Sequence, residues 1–132
     1  MAAAVADYRP KAAAEHKIKK TQGEMALELV RTPDILAAVT TRRAQSGSPR
    51  VVIGFAAETC NVLENAREKL TRKGLDLIVA NDVLAADSGF GVDTNRVILI
   101  DAGGGAASLP LVSKQAVAEA VLDRLAALLG RC

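Results

Sequence analysis

Two lysines on one predicted helix are the first residues whose type and spacing suggest chemistry. Lys69 and Lys73 lie four residues apart, so a helix places two positive charges on one face, which is mildly unfavourable. Glu68 can pair with Arg72, which leaves the lysines without a carboxylate on their own face. A polyanion such as a triphosphate would relieve this repulsion. The simpler interpretation is a solvated surface with two ordinary lysines.

The lysine-bearing helix lies between two apolar runs, residues 50–59 and 75–82. This order predicts the strand, helix, strand unit of a parallel sheet. Ligands of such open sheets bind beyond the carboxyl ends of the strands. The residues at those ends are Phe55, Glu58 and Thr59 on the first strand and Asn81 and Asp82 on the second; the predicted buried stripe of the helix is Val62, Leu63, Ala66 and Leu70.

Bulk composition predicts one domain over residues 1–132 with an aliphatic core, because half of the residues are hydrophobic and 2% are aromatic. A net charge of +2 gives no nucleic-acid footprint. Cys60 and Cys132 have no motif spacing, which favours a reduced, cytoplasmic chain with a buried or half-buried Cys60 thiol. No apolar run reaches membrane-spanning length, and residues 1–6 are too short for a signal sequence.

The first thirty residues predict a small β flap. Residues 2–6 are small and apolar, as in the last part of a buried strand. Residues 17–20 are basic, Gly23 suggests a turn, and the alternation over 24–30 favours a half-buried return strand, with a helix as the alternative. His16 has no Cys or His neighbours in the sequence, so it is interpreted as neither a metal ligand nor a catalytic base.

A second helix is predicted from Thr32-Pro33-Asp34, with Thr32 as the cap and Pro33 in the first turn. The free backbone N–H groups at such a helix start can receive an anion. The residues predicted to face the core are Ile35, Leu36, Ala38 and Val39.

The C-terminal part predicts a strand over 95–101, a hairpin turn at the glycines 103–105, and a last helix capped by Ser113. The glycines lack the lysine-serine signature of a phosphate loop. Together these elements predict an α/β fold: a Rossmann-like, mostly parallel sheet flanked by helices, with a small β flap and a C-terminal hairpin plus helix.

No catalytic triad, metal cluster or G-x-G-x-x-G fingerprint occurs, which disfavours a dinucleotide-binding oxidoreductase. Six segments instead resemble phosphopantothenate–cysteine ligase, the C-terminal half of the bifunctional coenzyme A biosynthesis protein of bacteria. They follow the family's order and spacing along essentially the whole chain, at residues 4–9, 17–20, 32–36, 54–59, 69–73 and 80–82.

The resemblance implies a ligase that joins 4′-phosphopantothenate to cysteine in two steps. CTP first activates the carboxylate as an acyl-cytidylate, with Mg²⁺ assisting and pyrophosphate released, and the cysteine amine then displaces CMP. It also implies a homodimer with small-molecule substrates and with no nucleic-acid or membrane partner. No metal ligand is assigned.

The resemblance assigns roles to individual residues. Lys17 matches the catalytic lysine on a movable flap, and Lys69 and Lys73 match CTP-binding lysines. Asp7 and Phe55 match nucleotide contacts. The remaining matches are the helix start that meets the nucleotide through backbone groups, Pro33, Asp34, Ile35 and Leu36, and two small positions close to ligand, Ala3 for the nucleotide and Ala4 for the substrate.

The sequence differs from the family's pattern at the N-terminus. The family's ligase domain begins with a strand, a glycine-rich turn and an asparagine used in the second step, and none of these precedes Ala2. The sequence therefore predicts an N-terminally truncated, CTP-binding ligase domain. The alternative is a catalytically incomplete remnant that only binds nucleotide or a partner chain.

Overall fold

The computed structural model describes residues 5–19, 23–82 and 91–130. The described residues divide into two compact units, which meet in the chain between Ile35 and Leu36. The single domain over residues 1–132 stays a prediction.

A four-stranded sheet forms the centre of the larger unit, in the strand order β3-β4-β5-β6. The strands are β3 (Ile53–Glu58), β4 (Leu77–Asp82), β5 (Thr94–Asp101) and β6 (Ala106–Ser113). The pair β3–β4 is parallel and is joined by helix α2 (Val62–Arg72), so the predicted strand, helix, strand unit is confirmed. The register places Glu58 opposite Asp82, so both strands end at one edge of the sheet.

The α/β class is confirmed, but the sheet is mixed rather than mostly parallel. Of the three strand pairs in this four-stranded sheet, β4–β5 and β5–β6 are antiparallel. A parallel neighbour needs a long crossover, whereas β5 and β6 are joined by a tight turn. That turn is the predicted glycine hairpin, in which Gly105 donates its amide to Asp101 Oδ1 at 3.0 Å. A Cβ on Gly105 would lie 2.6 Å from Asp101 Oδ2, which explains the glycine.

Helices cover both faces of the sheet. Helix α1 (Ile35–Ser46) and α2 pack on one face, and α3 (Lys114–Gly130) packs on the other. Ser113 caps α3 as predicted, because its Oγ accepts the Ala116 amide at 3.1 Å. Ala66 and Leu70 of the predicted α2 stripe are buried, whereas Leu63 is 39% exposed. The two buried clusters are Val52, Ala56, Ala66, Leu70, Leu75, Ile78, Ala80 and Ile100 under α1 and α2, and Leu77, Val79, Val97, Leu99 and Val117 under α3.

The smaller unit contains one antiparallel pair, β1 (Tyr8–Pro10) with β2 (Leu29–Arg31). The predicted flap is thus present, but its strands differ from those predicted. Residues 5 and 6 are exposed and lie outside any strand, and residues 17–19 belong to the segment between the strands. The return strand begins at Leu29 rather than at residue 24, and Met25 and Leu27, which precede it, are 68% and 57% exposed.

The predicted cap of α1 is wrong. The helix begins at Ile35, and Thr32 instead closes the β1–β2 ribbon: its Oγ1 donates to the Ala6 carbonyl at 2.6 Å and its amide to the Asp7 carbonyl at 2.9 Å. The predicted core face of α1 is confirmed in part. Leu36 and Val39 pack against the core, whereas Ile35 and Ala38 are exposed.

Candidate functional site

The two lysines of α2 lie where the helix ends. Lys69 belongs to its last turn, and Lys73 is the capping residue, whose amide donates to the Lys69 carbonyl at 3.0 Å. Both residues are half-buried. Within the described ranges the Lys69 amino group has no hydrogen-bond or ion-pair partner. The predicted Glu68–Arg72 ion pair does not form there either, in keeping with the small free energy that an exposed pair contributes.

The sharp turn after Lys73 is fixed partly from within α2. Gly74 has a left-handed backbone with φ of 58°. Its amide donates to the Thr71 carbonyl at 3.2 Å, and the Leu75 amide donates to the Leu70 carbonyl at 3.0 Å. With Leu70 and Leu75 buried side by side in one cluster, this is the Schellman arrangement that ends many helices.

Helix α1 supplies further contacts to the same turn. The Thr40 hydroxyl lies 2.8 Å from the Lys73 carbonyl and 3.0 Å from the Leu36 carbonyl. Arg43 Nη1 lies 3.5 Å from the Gly74 carbonyl. The last carbonyls of a helix have no partner within the helix, so donors from a neighbour stabilise them. Leu36 and Lys73, both predicted to contact the nucleotide, are thereby linked through one side chain.

An ion pair joins α1 to Asp76, the residue before β4. Arg43 Nη1 and Nη2 lie 2.8 Å and 2.9 Å from the two carboxylate oxygens of Asp76, which is the bidentate geometry of a strong pair. Arg43 also donates to the Arg50 carbonyl at 3.0 Å, and the Val52 amide donates to Asp76 Oδ2 at 2.7 Å. The hydrogen bond and charge of Asp76 raise the pKa of the Arg43 guanidinium, against the opposing effect of burial.

A groove of about 510 Å³ runs between α1 and the end of α2. Its α1 wall includes the small side chains of Ala37, Thr40 and Ala44, and its α2 wall is formed by Arg72 and Lys73. The mostly small α1 wall, which also includes Thr41 and Gln45, and the two cations of the α2 wall leave room for an anionic ligand. The larger unit thus links the Leu36 and Lys73 carbonyls through Thr40 beside this groove, with Lys69 one turn away from Lys73.

Phe55 lies on the other face of the sheet. It is paired with Val79, and Val79 and the partly buried Ile53 belong to the cluster under α3. Because side chains alternate along a strand, Phe55 points to the α3 side. It is nevertheless 44% exposed. The larger unit therefore does not bring Phe55 together with the two lysines.

The carboxyl ends of β3 and β4 carry polar side chains, as predicted. Asn65 donates its side-chain amide to the Cys60 carbonyl at 2.9 Å and to Glu58 Oε2 at 3.4 Å, which closes the loop between β3 and α2. The Cys60 thiol is exposed rather than buried, because this loop lies outside the core. Asn81 donates to Asn95 Oδ1 at 3.4 Å across β4 and β5.

The smaller unit brings another set of predicted residues together. The Asp7 carbonyl accepts the Thr32 amide, so Asp7 lies beside the residue that precedes Pro33. Pro33, Asp34 and Ile35 follow directly, and all three are exposed. Asp7 and the helix start are thus neighbours at one end of the β1–β2 ribbon.

Lys17 lies in the exposed segment that connects β1 with β2, next to His16. The positions predicted for close ligand approach, Ala3 and Ala4, lie outside the described residues, as does Lys20.

Sequence reasoning missed Thr40, Arg43 and Asp76. Asp76 had a readable signal, since it is the one charged residue within the apolar run Leu75–Ala80. A carboxylate at the start of a buried strand requires a partner. Nothing in the spacing of Thr40 and Arg43 indicated that they supply contacts to α2.

In the part of the chain that the structure describes, no three His, Cys, Asp or Glu side chains cluster as a metal site. None of the described helices combines the length and apolar character needed to cross a membrane.

Comparison with known proteins gives a consistent family. Residues 1–129 match the family described as DNA/pantothenate metabolism flavoprotein C-terminal domain. The chain is 47% identical over 126 residues to the coenzyme A biosynthesis bifunctional protein CoaBC of Bacillus subtilis, covering 96% of this chain and 30% of that protein. It is 46% identical over 126 residues to the protein of the same name from Escherichia coli K12, covering 93% and 30%. The chain thus spans about 30% of the length of these relatives.

Solved structures agree with this relationship. The crystal structure of the C-terminal domain of a coenzyme A biosynthesis bifunctional protein CoaBC has a TM-score of 0.71 at 35% identity, covering 98% of this chain and 53% of that one. The DNA/pantothenate metabolism flavoprotein from Streptococcus pneumoniae has a TM-score of 0.64 at 25% identity, covering 84% and 45%. The Rossmann-like α/β fold predicted from the sequence is therefore confirmed.

Proposed function

This chain belongs to the DNA/pantothenate metabolism flavoprotein C-terminal domain family, and we propose that it carries the phosphopantothenate–cysteine ligase function of coenzyme A biosynthesis. The family match across nearly the whole chain is the observation that carries the proposal. The substrates are 4′-phosphopantothenate, cysteine and CTP.

The proposed reaction has two steps. The carboxylate of 4′-phosphopantothenate attacks the α-phosphorus of CTP, which forms the acyl-cytidylate and releases pyrophosphate. The cysteine amine then attacks the acyl carbon, so that an amide bond forms and CMP leaves. Both steps depend mainly on positioning and on neutralisation of phosphate charge.

The end of α2 and the first turn of α1 have the chemistry for the triphosphate. Lys69 and Lys73 supply two positive charges one turn apart, and Lys73 lines the groove beside α1. Backbone N–H groups at the start of α1, near Leu36, are suited to an anion. A bound triphosphate would offset the repulsion between the lysines.

In this proposal Mg²⁺ accompanies the nucleotide. It keeps several waters and is usually bound through one or two carboxylates together with substrate phosphates, rather than by a cage of protein ligands. In this proposal the substrate phosphates and water supply most ligands of the ion. When bound, the ion neutralises phosphate charge.

The smaller unit contributes the catalytic lysine in this proposal. Lys17 neutralises charge that develops during the activation step, and Asp7 and the residues 33–35 contact the nucleotide. Ala3 and Ala4 allow the backbone to approach ligand. The nucleotide contact of Phe55 stays a prediction, because Phe55 points to the α3 side of the sheet, away from the two lysines. We also propose that the protein is cytoplasmic and that it forms a homodimer. Sedimentation equilibrium would test the homodimer.

Calorimetric titration of the chain with CTP and ATP in the presence of Mg²⁺ tests the nucleotide assignment. We expect CTP to bind more tightly. Lys69→Gln and Lys73→Gln should each weaken CTP binding about ten-fold, since each removes a charged hydrogen-bond donor to phosphate. Lys114→Gln is the matched control, because this exposed lysine begins α3 on the opposite face of the sheet. Equal affinity for CTP and ATP would contradict the proposal.

A pyrophosphate-release assay with CTP and 4′-phosphopantothenate separates the ligase from the alternative. Turnover by the chain supports the ligase. CTP binding without turnover supports the alternative of a catalytically incomplete remnant.

A further inference from the structure

Thr40 makes a contact that the neighbouring threonine of α1 lacks. The hydroxyls of Thr40 and Thr41 each lie 3.0 Å from the carbonyl four residues earlier, as is common for threonine within a helix. The Thr40 hydroxyl also lies 2.8 Å from the Lys73 carbonyl of α2. Of these two adjacent residues, Thr40 is the one that joins the helices.

The Lys73 carbonyl depends on this hydroxyl more than the Leu36 carbonyl does. A hydroxyl has one proton to donate, and the shorter of the two distances is to Lys73. The Leu36 carbonyl lies inside α1 and accepts a helical amide. The Lys73 carbonyl belongs to the capping residue, beyond the reach of any amide within α2.

The methyl group of Thr40 contacts the same turn. A Cβ built on Gly74 would lie 3.1 Å from Thr40 Cγ2, so the methyl packs directly against the glycine. Lys73 has φ of −96° and ψ of 1°, outside the regular helix, so its backbone is not held by the helical pattern alone. The hydroxyl of Thr40 therefore contacts Lys73 itself, and its methyl group contacts Gly74, the next residue of the turn.

We infer that Thr40 is a positioning residue for the proposed CTP site. It fixes the backbone of Lys73, and with it the direction in which the lysine side chain leaves α2 and its distance from the Leu36 turn. This inference rests on the proposed function, because it assigns Thr40 a role in CTP binding through Lys73.

Three single variants isolate the hydroxyl. Thr40→Val keeps the shape and removes the donor, and Thr40→Ser keeps the donor and removes the methyl. Thr71→Val is the control, since the Thr71 hydroxyl makes the same kind of bond within α2, to the Arg67 carbonyl at 3.1 Å. CTP affinity is measured by calorimetry, and the unfolding midpoint of each variant is measured separately.

We expect Thr40→Val to weaken CTP binding about five-fold, the equivalent of one ordinary hydrogen bond. Thr40→Ser should bind within about two-fold of the native chain, because it retains the donor. Thr71→Val should bind CTP like the native chain. Unchanged affinity in Thr40→Val, or equal losses in Thr40→Val and Thr71→Val, would overturn the inference.

A double-mutant cycle with Lys73→Gln tests whether Thr40 acts through Lys73. If it does, Thr40→Val has no further effect on CTP affinity once the lysine is replaced. Additive losses would show that Thr40 acts by another route, such as general destabilisation, and would reject the inference. Failure of the native chain to bind CTP would reject the proposed function itself, so the two failures are distinguishable.

Discussion

Different interactions stabilise the interior of each of the two units. The larger unit has one buried cluster on each side of its sheet. The side chains of its ion pair, Arg43–Asp76, are only 29% and 23% exposed. In the smaller unit no described residue is buried, and Val30 and Thr32 are half-buried. Its ion pair, Lys11–Glu28, is 58% and 78% exposed.

This difference separates the proposed roles of the lysines. Lys69 belongs to a helix packed on a buried core, and Lys73 caps that helix in a turn held by Thr40 of α1. Lys17 belongs to a ribbon with two three-residue strands, and regions with few buried apolar contacts open at low free energy. The larger unit is suited to fixed binding charges, and the smaller unit to a charge that changes position during catalysis.

The largest expected effect is in the core of the larger unit. Ile78 is fully buried, so Ile78→Ala should lower the free energy of unfolding by about 3 to 4 kcal/mol through lost burial and a residual cavity. The matched change in the smaller unit, Leu27→Ala at a side chain 57% exposed, should cost less than about 0.5 kcal/mol. Urea denaturation measures both. A comparable loss in Leu27→Ala would show that the smaller unit is stabilised by burial after all.

The second-largest expected difference is in the free energy of unfolding that is lost when each ion pair is broken. Arg43→Met leaves Asp76 partly buried without its bidentate partner, and we expect a loss of about 2 kcal/mol, less than for a fully buried pair. Lys11→Met breaks the exposed pair and should cost about 0.5 kcal/mol or less, with the difference vanishing at high salt. Denaturation at low and high ionic strength compares the two. Equal losses would contradict the distinction between the units.

Left-handed glycines give a smaller contrast. Gly74→Ala forces an alanine to φ of 58° and crowds Thr40, so we expect a loss of about 1 to 2 kcal/mol in global stability. Gly23→Ala, at φ of 121° in the smaller unit, should leave the global transition unchanged and appear only as faster local hydrogen exchange. A shifted global midpoint in Gly23→Ala would mean that the two units unfold together.

The predictable parts of the fold are those set by local pattern. The β3–α2–β4 unit follows from two apolar runs and one amphipathic stripe, and the β5–β6 turn follows from three glycines between strands. Asp7, the residues 33–36, Lys69 and Lys73 were named from family motifs, and the spacing of the two lysines independently drew attention to them. The contact of Thr40 with both the Leu36 and the Lys73 carbonyls was not readable from spacing.

The remaining features depend on contacts between distant residues. Thr32 is a residue type that often caps helices, but its hydroxyl donates to the Ala6 carbonyl, because the β1–β2 pairing brings these two residues together. Thr40 has no local pattern that distinguishes it from Thr41, and its role appears only once α1 lies beside α2. The direction of β5 relative to β4 likewise could not be predicted from the residues of β5, because a parallel and an antiparallel strand would bury the same side chains.

The smallest expected effect on stability concerns the residue with the largest proposed effect on catalysis. Lys17 is exposed in the segment between β1 and β2, so Lys17→Gln should change the free energy of unfolding by less than about 0.5 kcal/mol. Its loss should abolish CTP-dependent pyrophosphate release while CTP binding changes much less, because a charge needed as the reaction proceeds contributes little to the ground state. Lys19→Gln, two residues away and equally exposed, is the matched control. Unchanged turnover in Lys17→Gln would remove the catalytic role from the smaller unit and leave the binding charges of α2 as the chemistry of this chain.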